Sequence, residues 1–517
     1  MSLGLEVRKG AYYDSVTLMR ISKEVKKMDG IQEVLVGMGT ELNKELADNL
    51  GLCHGGIKDV GPSDFFIAVL SDEDRMEAVV KKVDELLNKK QESDMGDYTP
   101  PTLESALRHE PSSNMVLISL PGRYAFYEAK KALEEGLHVM LFSDNVTLEE
   151  EKELKDLAKE KGLLMMGPDC GTAIINHVPL AFANVISKGP IGIVGASGTG
   201  TQEVSVLIDK LGSGISQVIG TGGRDLKKEI GGTMMIEGIR ALAKDPETKV
   251  IVLISKPPDP EIAEVVLGEV QRSGKPAVIN FIGSDGQLIH QYGLVPGWTL
   301  EDTASKAVAL VKGFEIKDTL GISQPEKEIE DLVAQTAAGL RSNQKYLRGL
   351  YTGGTLCDEA IKLISSMTKD VYSNIPMSSE YLLENIHQSY KHTCIDLGDD
   401  DFTVGRAHPM IDPTYRLERL MREIEDDEVA LILMDFVIGY GAHPDPVGEM
   451  LPGIEKAQDI KQKKGFGPCF IASVCGTDKD PQSLEDQEEK LRKAGVAVMP
   501  SNAQAVRLAM KILEAIS

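Results

Sequence analysis

Two glycine turns in this chain carry hydroxyl residues where a helix would begin. Residues 191–203 read Ile-Gly-Ile-Val-Gly-Ala-Ser-Gly-Thr-Gly-Thr-Gln-Glu, and residues 348–359 read Arg-Gly-Leu-Tyr-Thr-Gly-Gly-Thr-Leu-Cys-Asp-Glu. Each reads as a buried strand, a tight turn and an amphipathic helix. A helix start of this kind aims unpaired N–H groups and the positive end of its dipole at one spot, and glycine lets an anion approach that spot. Two such ends facing each other would grip one phosphate. A third turn, Gly220-Thr221-Gly222-Gly223-Arg224-Asp225, follows the next strand and adds N–H groups and a guanidinium. The expected phosphate-binding residues are Ser197, Gly198, Thr199, Gly200, Thr201, Gly222, Gly223, Gly353, Gly354 and Thr355. The first turn has P-loop spacing, but Thr201 stands at the lysine position. No point charge then reaches a nucleotide's outer phosphates, which excludes an NTPase.

Four further side chains are catalytic candidates: Arg224, Arg406, His408 and His443. An arginine would stabilise charge on a bound anion. The two histidines each precede proline, beside Asp412 and Asp445. Each either fixes its turn through side-chain hydrogen bonds or serves substrate binding and acid–base work near neutral pH. Cys170 and Cys357 adjoin the anion turns, which would lower their pKa values; packing as small buried residues is the alternative. Lys256 follows a strand end and either contacts the anion or lies along the surface. Asp399, Asp400 and Asp401 cannot all face one ion from a strand, because side chains alternate, so no metal site is expected.

The elements that position these residues are α/β throughout: several Rossmann-like or flavodoxin-like parallel-sheet domains behind a small N-terminal α/β sandwich. Residues 1–95 form the sandwich, with strands at 5–8, 33–36 and 65–70 and helices at 15–28 and 73–87; a linker spans 91–101. Residues 102–187 form a half-size Rossmann-like domain with strands at 115–120, 138–142 and 163–166. Residues 188–318 carry strands at 191–194, 216–219, 250–254 and 277–281. After a connector at 316–324, residues 326–517 carry strands at 349–351, 393–397, 430–434, 469–473 and 497–499 and a closing helix at 502–516. The last two domains share a layout, as an ancient duplication would leave.

Composition narrows the partners. The 517 residues carry a net charge of −24, spread along the chain with no basic stripe, which argues against nucleic acid. Six cysteines lie at 53, 170, 357, 394, 469 and 475 without C-x-x-C pairs, the usage of a reducing compartment. No apolar run nears the ~20 residues that span a bilayer; the longest, around 429–437, is interrupted by Asp435. The N-terminus has no signal-peptide core. A cytoplasmic protein without membrane contact is expected.

Residues 110–285 resemble the α subunit of succinyl-CoA synthetase, through Gly167-Pro168-Asp169-Cys170, Gly192-Ile193-Val194 with Ser197-Gly198-Thr199 and Glu203, and Gly220-Thr221-Gly222-Gly223. Gly353-Gly354 with Cys357-Asp358 is similar to the C-terminal domain of that enzyme's β subunit. Their fusion behind a small N-terminal domain resembles the FdrA family along nearly the whole chain. Further carriers are Asp396-Leu-Gly-Asp-Asp-Asp401, Gly405-Arg-Ala-His-Pro-Met-Ile-Asp-Pro413, Gly439-Tyr-Gly-Ala-His-Pro-Asp-Pro446 and Ser473-Val-Cys-Gly-Thr477.

The synthetase resemblance implies CoA binding and a histidine, clamped between the two helix ends, that carries phosphoryl from nucleotide to acyl group. The residues depart from it. Ile282-Gly283-Ser284-Asp285 stands where the histidine loop would be, and His290 is the nearest histidine. No glycine-rich loop precedes the strand at 115–120, and no ATP-grasp domain is present. The FdrA resemblance implies a carbamoyltransferase subunit of allantoin breakdown, which converts oxalurate plus phosphate into oxamate plus carbamoyl phosphate. Phosphate or carbamoyl phosphate is then the ligand, and partner subunits of a hetero-complex, or further copies of the chain, complete the assembly. The alternatives are an acyl-CoA synthetase subunit without the usual phosphohistidine, and a non-catalytic scaffold.

Overall fold

The structure is a computed structural model. It describes all residues except Met1, Tyr12, Asp14, Cys53, Pro62, Ser63, residues 94–99, Val404, Gly405 and Ser517. Most of the expected linker, Cys53 and Gly405 therefore lie outside the described residues. The chain divides into two compact units: Met1–Pro111 with Thr403–Ala407, and Ser112–Phe402 with His408–Ser517. Among the described residues no helix is long and apolar enough to cross a membrane.

In the first unit, strand Phe65–Ser71 lies between Ser2–Arg8 and Ile31–Met38 and runs antiparallel to both. The run Phe-Phe-Ile-Ala-Val-Leu is apolar at every position because both faces are covered. Phe65, Ile67 and Val69 pack with Leu18, Ile21 and Val25 of helix Ser15–Lys26 and with Val79 and Val83 of helix Met76–Ser93. Phe66 and Ala68 face Ala47, Leu52 and Ile57 on the other side.

The second unit holds three sheets. Met115–Ile118, His138–Leu141 and Met165–Met166 form a short parallel sheet. The second sheet has the order Ile215–Gly220, Lys188–Gly195, Val250–Ser255, Ala277–Phe281, Val295–Pro296, all parallel. The third has the order His392–Asp396, Tyr346–Tyr351, Val429–Val437, Cys469–Cys475, Ala497–Met499, again parallel, with Val371–Tyr372 at its edge. In chain order both read 2-1-3-4-5, the doubly wound arrangement whose ligands bind at the carboxyl ends of the strands. Several elements have no counterpart in the sequence reading, among them the edge strands Val295–Pro296 and Val371–Tyr372. An antiparallel hairpin, Thr172–Ile175 with Val178–Ala181, extends the second sheet, and its tight turn places Asn176 and His177 at positive φ.

The two flavodoxin-like halves hold each other by exchanged caps. Glu203, in the helix Gly198–Lys210, accepts the N–H of Asn502 at the start of the last helix of the other half. Glu359, at the matching position of helix Gly354–Ser365, accepts the N–H of Leu300 at 2.7 Å and the Asn502 side chain at 2.8 Å. Both carboxyls are almost fully buried. Burial, opposed by these hydrogen bonds, pushes Glu359 up to about 7. A carboxyl raised in the folded state binds its proton there while the unfolded chain has lost it, so its contribution to stability falls as pH climbs from about 4.5 to about 7. Unfolding of the wild type followed from pH 5 to 7 should lose up to about 1.4 kcal/mol per pH unit relative to Glu359→Gln; parallel curves would contradict a raised carboxyl at this junction.

Candidate functional site

Strand Lys188–Gly195 delivers the first helix start. Ser197 is the N-cap, in extended geometry, and its Oγ accepts the Gly200 N–H at 3.1 Å. Thr201 turns inward and donates its hydroxyl to the Ser197 carbonyl at 2.6 Å, so it closes the turn from behind. Strand Tyr346–Tyr351 delivers the second start, where Gly353 is an N-cap without a side-chain acceptor. Its turn is fixed by Asp435, fully buried in the middle strand. Asp435 accepts the N–H groups of Thr352 and Gly353 at 2.8 and 2.9 Å and the Thr352 hydroxyl at 2.9 Å. Behind it, buried Arg416 pairs with Asp435 at 3.1 Å and donates to the Leu350 and Asp435 carbonyls.

The two helix starts meet head to head. Ser197 Oγ and Thr355 Oγ1 are hydrogen-bonded at 2.5 Å. A Cβ at Gly353 would lie 2.8 Å from Thr199, and one at Gly200 would lie 2.6 Å from Thr355 Cγ2, so the glycines permit the approach. The ends touch, so no phosphate-sized gap separates the hydroxyls. Along the seam Ser197, Gly198, Thr199 and Gly354 stay half-buried, and first-turn N–H groups lack intrahelical partners. Two side-chain oxygens flank the helix starts there, and the first, Thr172 Oγ1, is buried without a hydrogen-bond partner. Thr172 Oγ1 lies 3.6 Å from a Cβ built on Gly198, and Asp396 Oδ2 lies 2.5 Å from one built on Gly354.

The flanking loops bring charge. Lys256 follows strand Val250–Ser255 and pairs with Asp358, in the second turn of helix Gly354–Ser365, at 2.9 Å. Burial works against its charge, but Asp358 and then Asp396 outweigh it and raise the lysine pKa. Asp169 meets solvent yet is crowded by protein on most sides, and that crowding, with Asp400 and Asp144 nearby, pushes it up to about 7. Gly223 faces Asp169, its Cβ position 3.8 Å from Oδ2. Gly222 has φ +81° and backs onto Pro168, where a side chain would overlap the Pro168 carbonyl, so the turn packs against its neighbour.

The catalytic candidates are distributed differently. Arg224 pairs with Glu151 at 2.9 Å and donates to the Val146 carbonyl at 2.7 Å, on the small parallel domain. Arg406 belongs to the first unit, so the structure gives it no place relative to the seam. His408 Nδ1 accepts the Met410 N–H at 3.2 Å, and His443 Nδ1 accepts the Asp445 N–H at 3.1 Å, so both fix their own turns. Burial also lowers His408 to about 4, which keeps it neutral at pH 7. The cysteines depart from the lowered-pKa expectation: burial pushes Cys170 up to about 12 and Cys357 well above the ordinary thiol range. Asp285, in the loop where the relay histidine was sought, caps Gln287, and His290 is exposed on the following turn. At helix Gly122–Glu134, Gly122 is pressed against the carbonyls of Asp144 and Asn145, so the chain itself fills that helix start.

Asp435→Ala removes three acceptor bonds from the second turn and leaves Arg416 buried without its carboxylate. Denaturant unfolding should show a loss of about 3–5 kcal/mol; a loss below about 1 kcal/mol, the range of a surface pair, would contradict this role.

Comparison with known families agrees with this architecture. The CoA-ligase family model matches residues 350–512, the CoA binding domain model residues 186–283, and the model described as AllF, heavy metal-associated domain, residues 1–101. The last segment does not fit a soft metal, which takes thiolate ligands. It holds one cysteine, Cys53, outside the described residues, and the described residues contain no group of three metal-binding side chains. The succinate–CoA ligase (ADP-forming) subunit alpha 2 of Archaeoglobus fulgidus is 26% identical, over 45% of this chain and 80% of its own length. The structure of PH0766 from Pyrococcus horikoshii OT3 aligns over 79% of this chain and 85% of its own, at 18% identity and a TM-score of 0.33. The uncharacterized protein YahF of Escherichia coli (strain K12) is 46% identical over 99% of both chains. The chain thus belongs to the same family as YahF, the succinyl-CoA synthetase-like FdrA family.

Proposed function

We propose that the chain is a subunit of a phosphate-dependent acyl-transfer enzyme of the CoA-ligase class, with phosphate held along the seam between the helices that begin at Gly198 and Gly354. The observation that carries this reading is the Ser197–Thr355 contact, which turns two helix N-termini onto one spot. Oriented N–H groups there stabilise the charge of phosphate and of an acyl phosphate, and holding both reactants in place supplies much of the rate. The CoA-ligase and CoA-binding matches support acyl-CoA chemistry completed by a nucleotide-binding partner subunit.

A second reading narrows the acyl group to carbamoyl, moving between oxalurate and phosphate on one side and oxamate and carbamoyl phosphate on the other. It is favoured by Gly283-Ser284-Asp285, which offers no imidazole to ferry phosphoryl, so phosphate and acyl group would meet directly at the seam. With its partner subunits, the carbamoyl reading requires oxalurate cleavage that depends on phosphate. The acyl-CoA reading requires CoA binding and a label transferred from γ-labelled ATP to protein.

Gly198 gives a direct test common to both. A side chain there meets nothing nearer than Thr172 Oγ1 at 3.6 Å, so the fold admits it while it covers the seam. Gly198→Val should weaken phosphate binding, read by calorimetry on the full chain, by at least about tenfold, with stability changed by less than about 1 kcal/mol. Unaltered binding would remove the seam as the phosphate site.

A further inference from the structure

One carboxyl oxygen beside the seam is set apart by its surroundings. Asp396 ends strand His392–Asp396, is 7% exposed, and uses Oδ1 to accept the Gly398 N–H at 2.9 Å. Its Oδ2 accepts no hydrogen bond from any described residue and rests against Gly354, the first residue of the second helix. The other polar groups nearby are committed elsewhere. Asp358 holds Lys256, Asp435 holds the Thr352–Gly353 turn, and His408 and His443 hold their own turns.

We propose that Asp396 is the catalytic acid–base residue of this site, its Oδ2 passing a proton between the bound phosphate and the atom that leaves the acyl carbon. The inference rests on the phosphate reading above. A phosphate oxygen forms a bond to the acyl carbon, and the bond from that carbon to the leaving nitrogen or sulfur breaks. The leaving atom keeps the electron pair and takes the proton from Asp396. The remaining proton of the acyl phosphate then returns to the Asp396 carboxylate, so the proton of hydrogen phosphate ends on the leaving group and the residue is restored. The reverse reaction runs the same steps backwards.

The surroundings suit this role. Burial pushes Asp396 up to about 8, against the pull of Lys256 and the Gly398 N–H and with the push of Asp399 and Asp358. At neutral pH it is therefore an acid with a proton to give. Lys256 stands ready to stabilise the carboxylate left behind. Cys357 and His408 also face it, the thiol held protonated and the imidazole held neutral by burial, so neither adds charge at pH 7.

The test uses the full chain with two tetrahedral anions, phosphate and sulfate, of which sulfate does not titrate between pH 6 and 9. If a protonated Asp396 donates to the bound anion, sulfate affinity of the wild type falls by up to about tenfold per pH unit above about 8. Asp396→Asn, whose amide donates at every pH, binds sulfate with little pH dependence, and Asp396→Glu restores the alkaline decline. In the assembled enzyme, Asp396→Asn lowers kcat by about 100- to 10,000-fold while the KM for phosphate stays within about threefold. Circular dichroism and thermal unfolding of each variant establish that it is folded. Matching sulfate pH profiles for wild type and Asp396→Asn, with both binding, would overturn the role of Asp396 and leave the seam intact. Absence of any anion binding to the wild type would overturn the phosphate reading and this one with it.

Discussion

Two helix N-termini in direct contact present like partial charges, roughly half a positive charge each. At ~5 Å separation and an effective dielectric of ~20 their repulsion is about 1 kcal/mol, and apart from the capped Gly200 N–H the first-turn N–H groups lack intrahelical partners. The chain offsets part of this with the Ser197–Thr355 hydrogen bond and with Asp435 behind the second turn. The open side of the seam still calls for an acceptor. That demand, more than any single residue, is why the site reads as an anion site.

Holding two like ends together requires scaffolding from both halves. The exchanged carboxylate caps of Glu203 and Glu359 tie each seam helix to the start of the other half's last helix. Lys155, fully buried, bonds Glu151, Asp225 and the Thr221 carbonyl, and so fastens the third glycine turn to the small parallel domain. Asp225 in turn caps helix Thr233–Lys244 through the N–H groups of Met234 and Met235. The seam thus sits where three sheets converge, with Lys155, Asp225 and Asp435 buried to fix turns.

Local periodicity carried much of this architecture. Helix Asn502–Ile516 and strand Ala277–Phe281 have the bounds read from the sequence, since each combines a regular apolar pattern with clear stop signals. The hairpin after Gly171 escaped because its turn uses Asn176 and His177 without the glycine that usually marks such a turn. Within the site, the glycine turns were legible as helix starts, but their contact was a conjecture that only the packing of two distant halves could show. Thr201 and Arg224 illustrate the limit. Their types suit an anion, yet long-range geometry turns one into the strand–helix turn and the other toward Glu151. Lys256 was legible as a strand-end lysine but its pairing with Asp358 was not, and Asp396 and Asp435 gave no local signal of a role, because these roles arise from neighbours 40 to more than 100 residues away.

The most direct measurement is a crystal structure of the full chain grown with sulfate. The account predicts an anion on the seam, within hydrogen-bond distance of the N–H groups of Gly198, Thr199 and Gly354 together. Helix starts that stand apart, or an anion-free seam in crystals that hold sulfate elsewhere, would contradict it.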